Sequence, residues 1–236
     1  MKKEILIIKN STSEGPGLLE ELLTERSIAY RLVDLDRGEP FPQVKDFGAV
    51  VVLGGPDSAN DQNEKMTLEL LRIRQILDAK IPYLGICLGL QTLVKAAGGK
   101  VVESPLKEVG FKGPDGMFFT IELTEQGKAD PLFKGLESTL KVFHLHGETV
   151  ELTDNMILLG KGKFCPSQAV KIGSNAYGLQ CHFELTPDMF ESWITGDADL
   201  LQLDTNILRG DFESVKSKYR DTGRKLLGNF LAIAGF

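Results

Sequence analysis

The 236-residue chain predicts an α/β fold: an open, mostly parallel sheet with flanking helices, a small antiparallel sheet region and a C-terminal helical extension. Three observations predict it. Short, wholly apolar runs recur at Ile5–Ile8, Val50–Leu53 and Ile81–Ile86, as in parallel strands covered on both faces. Helical patterns separate these runs through residue 98, the order that gives parallel strands with crossover helices. Two of the runs stop abruptly at glycine, at Gly54-Gly55-Pro56 and around Cys87, where such a sheet places its ligands.

The first run follows Met1-Lys2-Lys3-Glu4; its four apolar residues are too few for a signal peptide and read as a first strand. Pro16 and Gly17 open a helix through Leu18, Leu19, Leu22 and Leu23. Ala29–Leu35 is a second strand and Gly48–Leu53 a third. Asn63 to Ala79 is a helix, with Met66, Leu70, Ile73 and Leu77 on one stripe. Ile81–Ile86 is a fourth strand, followed by a helix after Cys87 that Gly98-Gly99 ends.

The middle third changes character. Val101 to Phe119 is rich in Gly, Pro and Lys, with short extended pieces. Phe118–Leu123, Leu140–Leu145, Met156–Gly160, Gln168–Ile172 and Ala176–His182 read as successive strands, the last two joined by Gly173-Ser174-Asn175. Thr186-Pro187 caps and starts a helix through Trp193. Asp211 to Ala234 is another, with Phe212, Val215, Tyr219, Leu226, Phe230 and Leu231 on one side. The expected division is one domain over 1–195 and a helical extension over 196–236 packed on it or at a dimer contact. The tail carries no catalytic signature.

Hydrophobic content of 42% and charged content of 25% are those of an ordinary globular protein, and no apolar stretch approaches a membrane span. Three widely spaced cysteines, Cys87, Cys165 and Cys181, argue against a disulfide framework and for a reducing, cytoplasmic compartment. A net charge of −6 without a basic run gives no nucleic-acid footprint.

Gly85-Ile86-Cys87-Leu88-Gly89 is the chemical centre of the sequence. A Cys between glycines at a strand-to-helix turn has the form of a nucleophile elbow. The helix that follows aims its first N–H groups at the sulfur. Taken alone, the motif fits a small core cysteine as well. A thiolate nucleophile needs a base, and the base needs an orienter. His182 lies at the end of a strand in Gln180-Cys181-His182-Phe183-Glu184, and a residue two along a strand faces the same way. Cys87, His182 and Glu184 therefore form a candidate set of nucleophile, base and orienter, against the plainer reading of a surface His–Glu pair. His144 and His146 alternate on a strand, but two histidines without a neighbouring carboxylate or cysteine cluster make a weak metal case. No metal or cofactor is expected.

Pro82-Tyr83-Leu84-Gly85-Ile86-Cys87-Leu88-Gly89-Leu90-Gln91 resembles the nucleophile motif of class I glutamine amidotransferases. Leu179-Gln180-Cys181-His182-Phe183-Glu184 resembles their His-x-Glu motif, and Leu53-Gly54-Gly55-Pro56 is similar to their oxyanion loop. Phe143-His144-Leu145-His146-Gly147-Glu148-Thr149 and Glu108-Val109-Gly110-Phe111 look like the free-standing branch similar to the amidotransferase domain of GMP synthase. The likeness runs to about residue 195. It departs from the family at Cys181 (often Phe), Phe183 (often Pro) and Asp57 (often uncharged).

The resemblance implies a flavodoxin-like fold and a role for each matching position. Cys87 attacks the side-chain amide of glutamine, and His182 protonates the departing ammonia and then activates water. The N–H groups of Gly55 and Leu88 hold the oxyanion. Gln91 and the backbone of Leu145, His146, Gly147 and Glu148 orient the substrate. The sequence contains no P-loop and no second large domain to activate an acceptor, which implies a separate synthase subunit or simple hydrolysis. Two other readings stay open: a γ-glutamyl peptidase with the same triad, and a non-catalytic regulatory subunit on the same scaffold.

Overall fold

A computed structural model describes residues 4–236, so Met1-Lys2-Lys3 lie outside the described residues. The elements are β1 (Ile5–Lys9), α1 (Leu18–Glu25), β2 (Tyr30–Asp34), β3 (Ala49–Val52), α2 (Glu64–Asp78), β4 (Tyr83–Ile86) and α3 (Leu88–Ala96). There follow β5 (Lys100–Gly110), β6 (Thr120–Leu123), α4 (Glu125–Ala129), β7 (Thr139–Lys141), β8 (His144–Glu151), β9 (Met156–Gly162), β10 (Ala169–Ile172) and β11 (Ala176–Leu179). Helices α5 (Pro187–Gly196) and α6 (Thr205–Ile233) close the chain, separated by a single 3-10 turn at Leu200–Gln202.

A nine-stranded sheet runs in the order β2-β1-β3-β4-β11-β10-β9-β6-β7. It is parallel from β2 to β11 and antiparallel from β11 to β7. The apolar runs of β1, β3 and β4 are buried throughout, as strands sandwiched between helices must be. Strands β5 and β8 form a separate antiparallel ribbon. One core cluster joins Leu18, Leu22, Val51 and Leu84 to Leu226, Leu227, Phe230 and Leu231 of α6, so the last helix is part of the main core.

Asn63 caps α2 by accepting from the Met66 N–H at 2.8 Å, and Thr186 caps α5 with Pro187 at its first position. The stripe expected on α2 is corrected. Its buried residues are Met66, Glu69, Ile73 and Ile76, whereas Leu70 and Leu77 are only half-buried. A carboxyl thus occupies a core position that apolar periodicity assigned one residue along.

Two strand boundaries also differ. The run Leu140–Leu145 belongs to two strands in different sheets, β7 ending at Lys141 and β8 starting at His144. The apolar pattern continues through Val142 and Phe143 because both are buried, Val142 in the main core and Phe143 against Phe111, Phe190 and Trp193, so the sequence shows no break there. Strand β11 stops at Leu179 rather than running on to His182. Residues 180–186 leave the sheet, and His182 makes an isolated bridge with Phe143, its N–H donating to the Phe143 carbonyl at 2.9 Å. Within Val101 to Phe119, expected as short extended pieces, the chain up to Gly110 belongs to one strand, β5, with an irregular register between Glu103 and Glu108.

Candidate functional site

Cys87 joins β4 to α3 with φ 53°, in the left-handed region that non-glycine residues rarely occupy. The turn is held by the Cys87 N–H on the Leu179 carbonyl at 2.7 Å and by the Tyr83 hydroxyl on the Gly89 carbonyl at 2.8 Å. Its glycines are dictated by contact. A Cβ at Gly85 would overlap the Gly89 carbonyl, and one at Gly89 would overlap the Val52 carbonyl of β3. Leu88 opens α3, so its N–H has no intrahelical acceptor and lies beside the sulfur-bearing residue.

The sulfur sits within a small set of polar groups. It lies 3.7 Å from the Leu145 carbonyl and accepts from Gln180 Nε2 at 3.7 Å. His182 is buried, and its Nδ1 donates to Glu184 Oε1 at 2.6 Å. The other Glu184 oxygen accepts from the Phe183 N–H at 2.9 Å. His182 Nε2 has no geometrically sound hydrogen-bond partner among the described residues, yet the Cys87 sulfur is near enough to act on it. Burial works against the imidazolium; the Glu184 carboxylate and the Cys87 sulfur outweigh it and hold the His182 pKa well above 6.5. Trp193 stands edge-on to the ring at 5.0 Å, and the Tyr219 hydroxyl of α6 donates to the His182 carbonyl at 2.9 Å.

The three residues expected to act together are therefore together. Cys87 and His182 face a pocket of about 370 Å³ that is also lined by Gly55, Gln91, Leu145, His146, Gly147 and Glu148, with Glu184 buried behind the imidazole. Gly55 is pressed onto β1's end, where a Cβ would come 2.6 Å from Asn10 Cβ. Gln91 is less free than a substrate clamp: its Nε2 donates to the Glu148 carbonyl at 3.1 Å and so fixes β8 against α3. Ser58 holds the Glu148 carboxylate at 2.9 Å.

The expectation that no carboxylate lies near His144 and His146 is overturned. The register of β5 on β8 sets Glu108 opposite His146, and Glu108 Oε2 lies 2.9 Å from His146 Nε2 and 3.8 Å from His144 Nε2. Gln168 Nε2 donates to the same oxygen at 3.0 Å. These donor atoms are close enough to surround an ion. The Glu108 oxygen is already hydrogen-bonded twice, and His146 Nδ1 bonds the Glu148 carbonyl at 3.0 Å, so the arrangement works as a buttress under β8. Burial, then the neighbouring histidines, push the His144 pKa well below 6.5 and leave it neutral. Cys165 and Cys181 are buried, and burial raises both thiol pKa values, which leaves Cys87 as the thiol that faces a pocket.

Sequence reasoning missed several wall residues. Glu14 lies in the loop after β1, the same carboxyl end of the sheet as Gly55 and Cys87, and that position was its signal. Asp197 and Asp199 follow α5, in the tail read as lacking site residues. Asp57 and Asp199 are paired with Lys65 and Lys107, each at 2.5 Å. Burial raises the Glu14 carboxyl to about pKa 7 despite the nearby imidazolium.

A model of the glutamine amidotransferase class-I family matches residues 18–197, most of the chain and the whole of this site except Glu14, Asn10 and the tail beyond Asp197. The chain belongs to the class I glutamine amidotransferases. Over 158 residues it is 36% identical to YfeJ, a glutamine amidotransferase-like protein of Salmonella typhimurium, covering 65% of this chain and 63% of YfeJ. It is 27% identical to the glutamine-hydrolyzing GMP synthase of Thermosipho africanus over 98% of this chain and 42% of that one. It thus spans under two thirds of the length of these curated relatives. Among solved structures, a glutamine amidotransferase of Thermotoga maritima superposes with a TM-score of 0.86 at 26% identity, covering 98% of this chain and 99% of that one. The fold is that of the family, with its large mixed sheet, two-stranded ribbon and C-terminal helix. No helix among the described residues is long and apolar enough to cross a membrane.

Proposed function

We propose that this class I amidotransferase hydrolyses a γ-glutamyl amide, glutamine in the simplest case, through a thioester on Cys87. The observation that carries the reading is the buried relay of Glu184, His182 and Cys87 at a strained strand-to-helix turn. Glu184 fixes the imidazole with Nδ1–H toward itself and favours its charged form, which leaves Nε2–H for the sulfur side, and the thiolate is the attacking species. The thiolate adds to the γ-carbonyl carbon. The Gly55 and Leu88 N–H groups meet the oxyanion, each such donor being worth ~10²–10³ in rate. His182 gives its Nε2 proton to the leaving nitrogen, the C–N bond breaks, and the amine departs. His182 then takes a proton from water, which attacks the thioester to give glutamate and the free thiol. The α-amino and α-carboxylate groups of the substrate are assigned to the backbone of Leu145, His146, Gly147 and Glu148, with Gln91 fixing that strand.

The GMP synthase likeness supports a synthase subunit as the recipient of the ammonia. The test is incubation with glutamine, with and without a candidate acceptor subunit, read as ammonia release and as intact mass of the trapped adduct. A mass increase of one γ-glutamyl group, absent in Cys87→Ala, is the expected result. Equal ammonia release by wild type and Cys87→Ala overturns the assignment.

A further inference from the structure

A second chamber of about 240 Å³ adjoins the catalytic pocket, sharing with it Glu14, Pro56, Leu145 and Asp197. Its remaining walls include Ser11, Ser13, Ser192 and Trp193. The chamber lies on the His182 side, because Trp193 packs edge-on against that imidazole. Chemistry makes this the side of the leaving group. The nitrogen that departs must take its proton from His182 Nε2, a buried and unpartnered atom, so any substituent on that nitrogen extends past the ring toward Trp193. Ammonia has no substituent and would leave the chamber empty. At ~30 Å³ per water, the space holds about eight waters.

The lining gives the chemistry of an occupant. Lys107, in the pocket wall, is spent on Asp199; Lys65 pairs with the wall residue Asp57, and Lys9 bonds the Thr12 carbonyl at 2.7 Å. Glu14 and Asp197 form no salt bridge among the described residues. One Asp197 oxygen caps the following turn through the Asp199 and Leu200 N–H groups, at 2.9 and 3.0 Å. These two carboxyls stand at the junction of the chambers, beside an aromatic wall and serine hydroxyls.

The geometry points to a γ-glutamyl amide whose leaving amine carries a second, cationic ammonium group as the preferred substrate, with the amine seated between Glu14, Asp197 and Trp193. This rests on the hydrolase reading above and names its substrate class. The reaction balances as before: the γ-glutamyl C–N bond breaks, His182 protonates the released nitrogen, and water supplies the oxygen of glutamate. The distal ammonium takes no part in bond making.

The probes are glutamine, the mono-γ-glutamyl amide of diaminopropane, and the γ-glutamyl amide of butylamine, a neutral chain of matching length. The diaminopropane amide is expected to exceed the butylamine amide at least about tenfold in kcat/KM, by charge attraction in a partly desolvated site. In Asp197→Asn and Glu14→Gln that ratio is expected to fall toward about one, and to fall in wild type at high salt. Free diaminopropane is expected to inhibit wild type more strongly than butylamine, a measurement that needs no variant to fold. A ratio near one in wild type, or rejection of both amides while glutamine forms the Cys87 thioester, overturns this inference and leaves the hydrolase reading standing. No thioester from any of the three removes both.

Discussion

Glu184→Gln isolates the part of the relay that sets the charge on His182. The amide is nearly the same size and can still accept from Nδ1–H, so the substitution removes a negative charge 2.6 Å from a buried ring, together with the acceptor that the second oxygen offers the Phe183 N–H. Removing one partner from a buried, hydrogen-bonded charge pair costs about 2–5 kcal/mol, and the retained hydrogen bond argues for about 3. At ~1.4 kcal/mol per tenfold, kcat/KM should fall roughly 10²-fold. Direction in pH follows from the same charge. His182 is held well above 6.5 by Glu184 and the sulfur, so the imidazolium persists into alkaline solution, and without Glu184 it is lost nearer neutrality. The alkaline limb of the activity profile should therefore move to lower pH. The rate of Cys87 alkylation by iodoacetamide, followed across neutral to alkaline pH, reads the same change without substrate. The linked stability has a definite sign. A group whose folded pKa is raised stabilises fully below its unfolded value and loses that contribution as pH rises through its folded value, so wild type should exceed Glu184→Gln most in mildly acid solution. A fall in kcat/KM of less than about threefold with an unmoved alkaline limb would refute the reasoning.

Glu69 gives the same sign from a different cause. Burial raises its carboxyl to about pKa 7, so the folded protein holds a proton that the unfolded chain releases near 4.5. Stability should decline as pH rises from 4.5 to about 7, by about 3 kcal/mol, and Glu69→Gln should flatten that slope in urea titrations. Tyr219→Phe deprives the buried His182 carbonyl of its donor and should cost about 1–3 kcal/mol by chemical denaturation, with a larger loss of kcat than a remote core change of equal cost. Gly89→Ala drives a methyl into the Val52 carbonyl and should lower stability by at least about 1–3 kcal/mol, seen as a drop in Tm with loss of the reactive thiol.

The parallel half of the sheet was legible because its signals are local: apolar runs, helical stripes and glycine turns fall in one stretch of sequence. The elbow at Cys87 was legible for the same reason. His182 and Glu184 were found by a strand rule that does not apply where they sit, since β11 ends at Leu179. They meet because the Phe143 bridge and the Tyr219 hydroxyl hold an irregular segment in place. Glu108 beside His144 and His146 was not legible, because only the pairing of β5 with β8 brings it there. Asp197 was invisible for a like reason, an ordinary loop acid until the fold brings it to the pocket wall, whereas Glu14 had a signal only in its place at the carboxyl end of β1.

The place of β11 has a consequence for how the site is assembled. This strand lies between β4, made early, and β10, its immediate predecessor, so it is the seam between the parallel and antiparallel halves. During synthesis the elbow at Cys87 emerges long before the strand whose Leu179 carbonyl receives its N–H, and before His182. Tyr219, which fastens that imidazole segment from α6, emerges later still. Pairings this distant in sequence are slow to form. On the proposed mechanism the nascent chain therefore carries Cys87 without its base, and the site is complete only when the sheet is sealed and the final helix has docked.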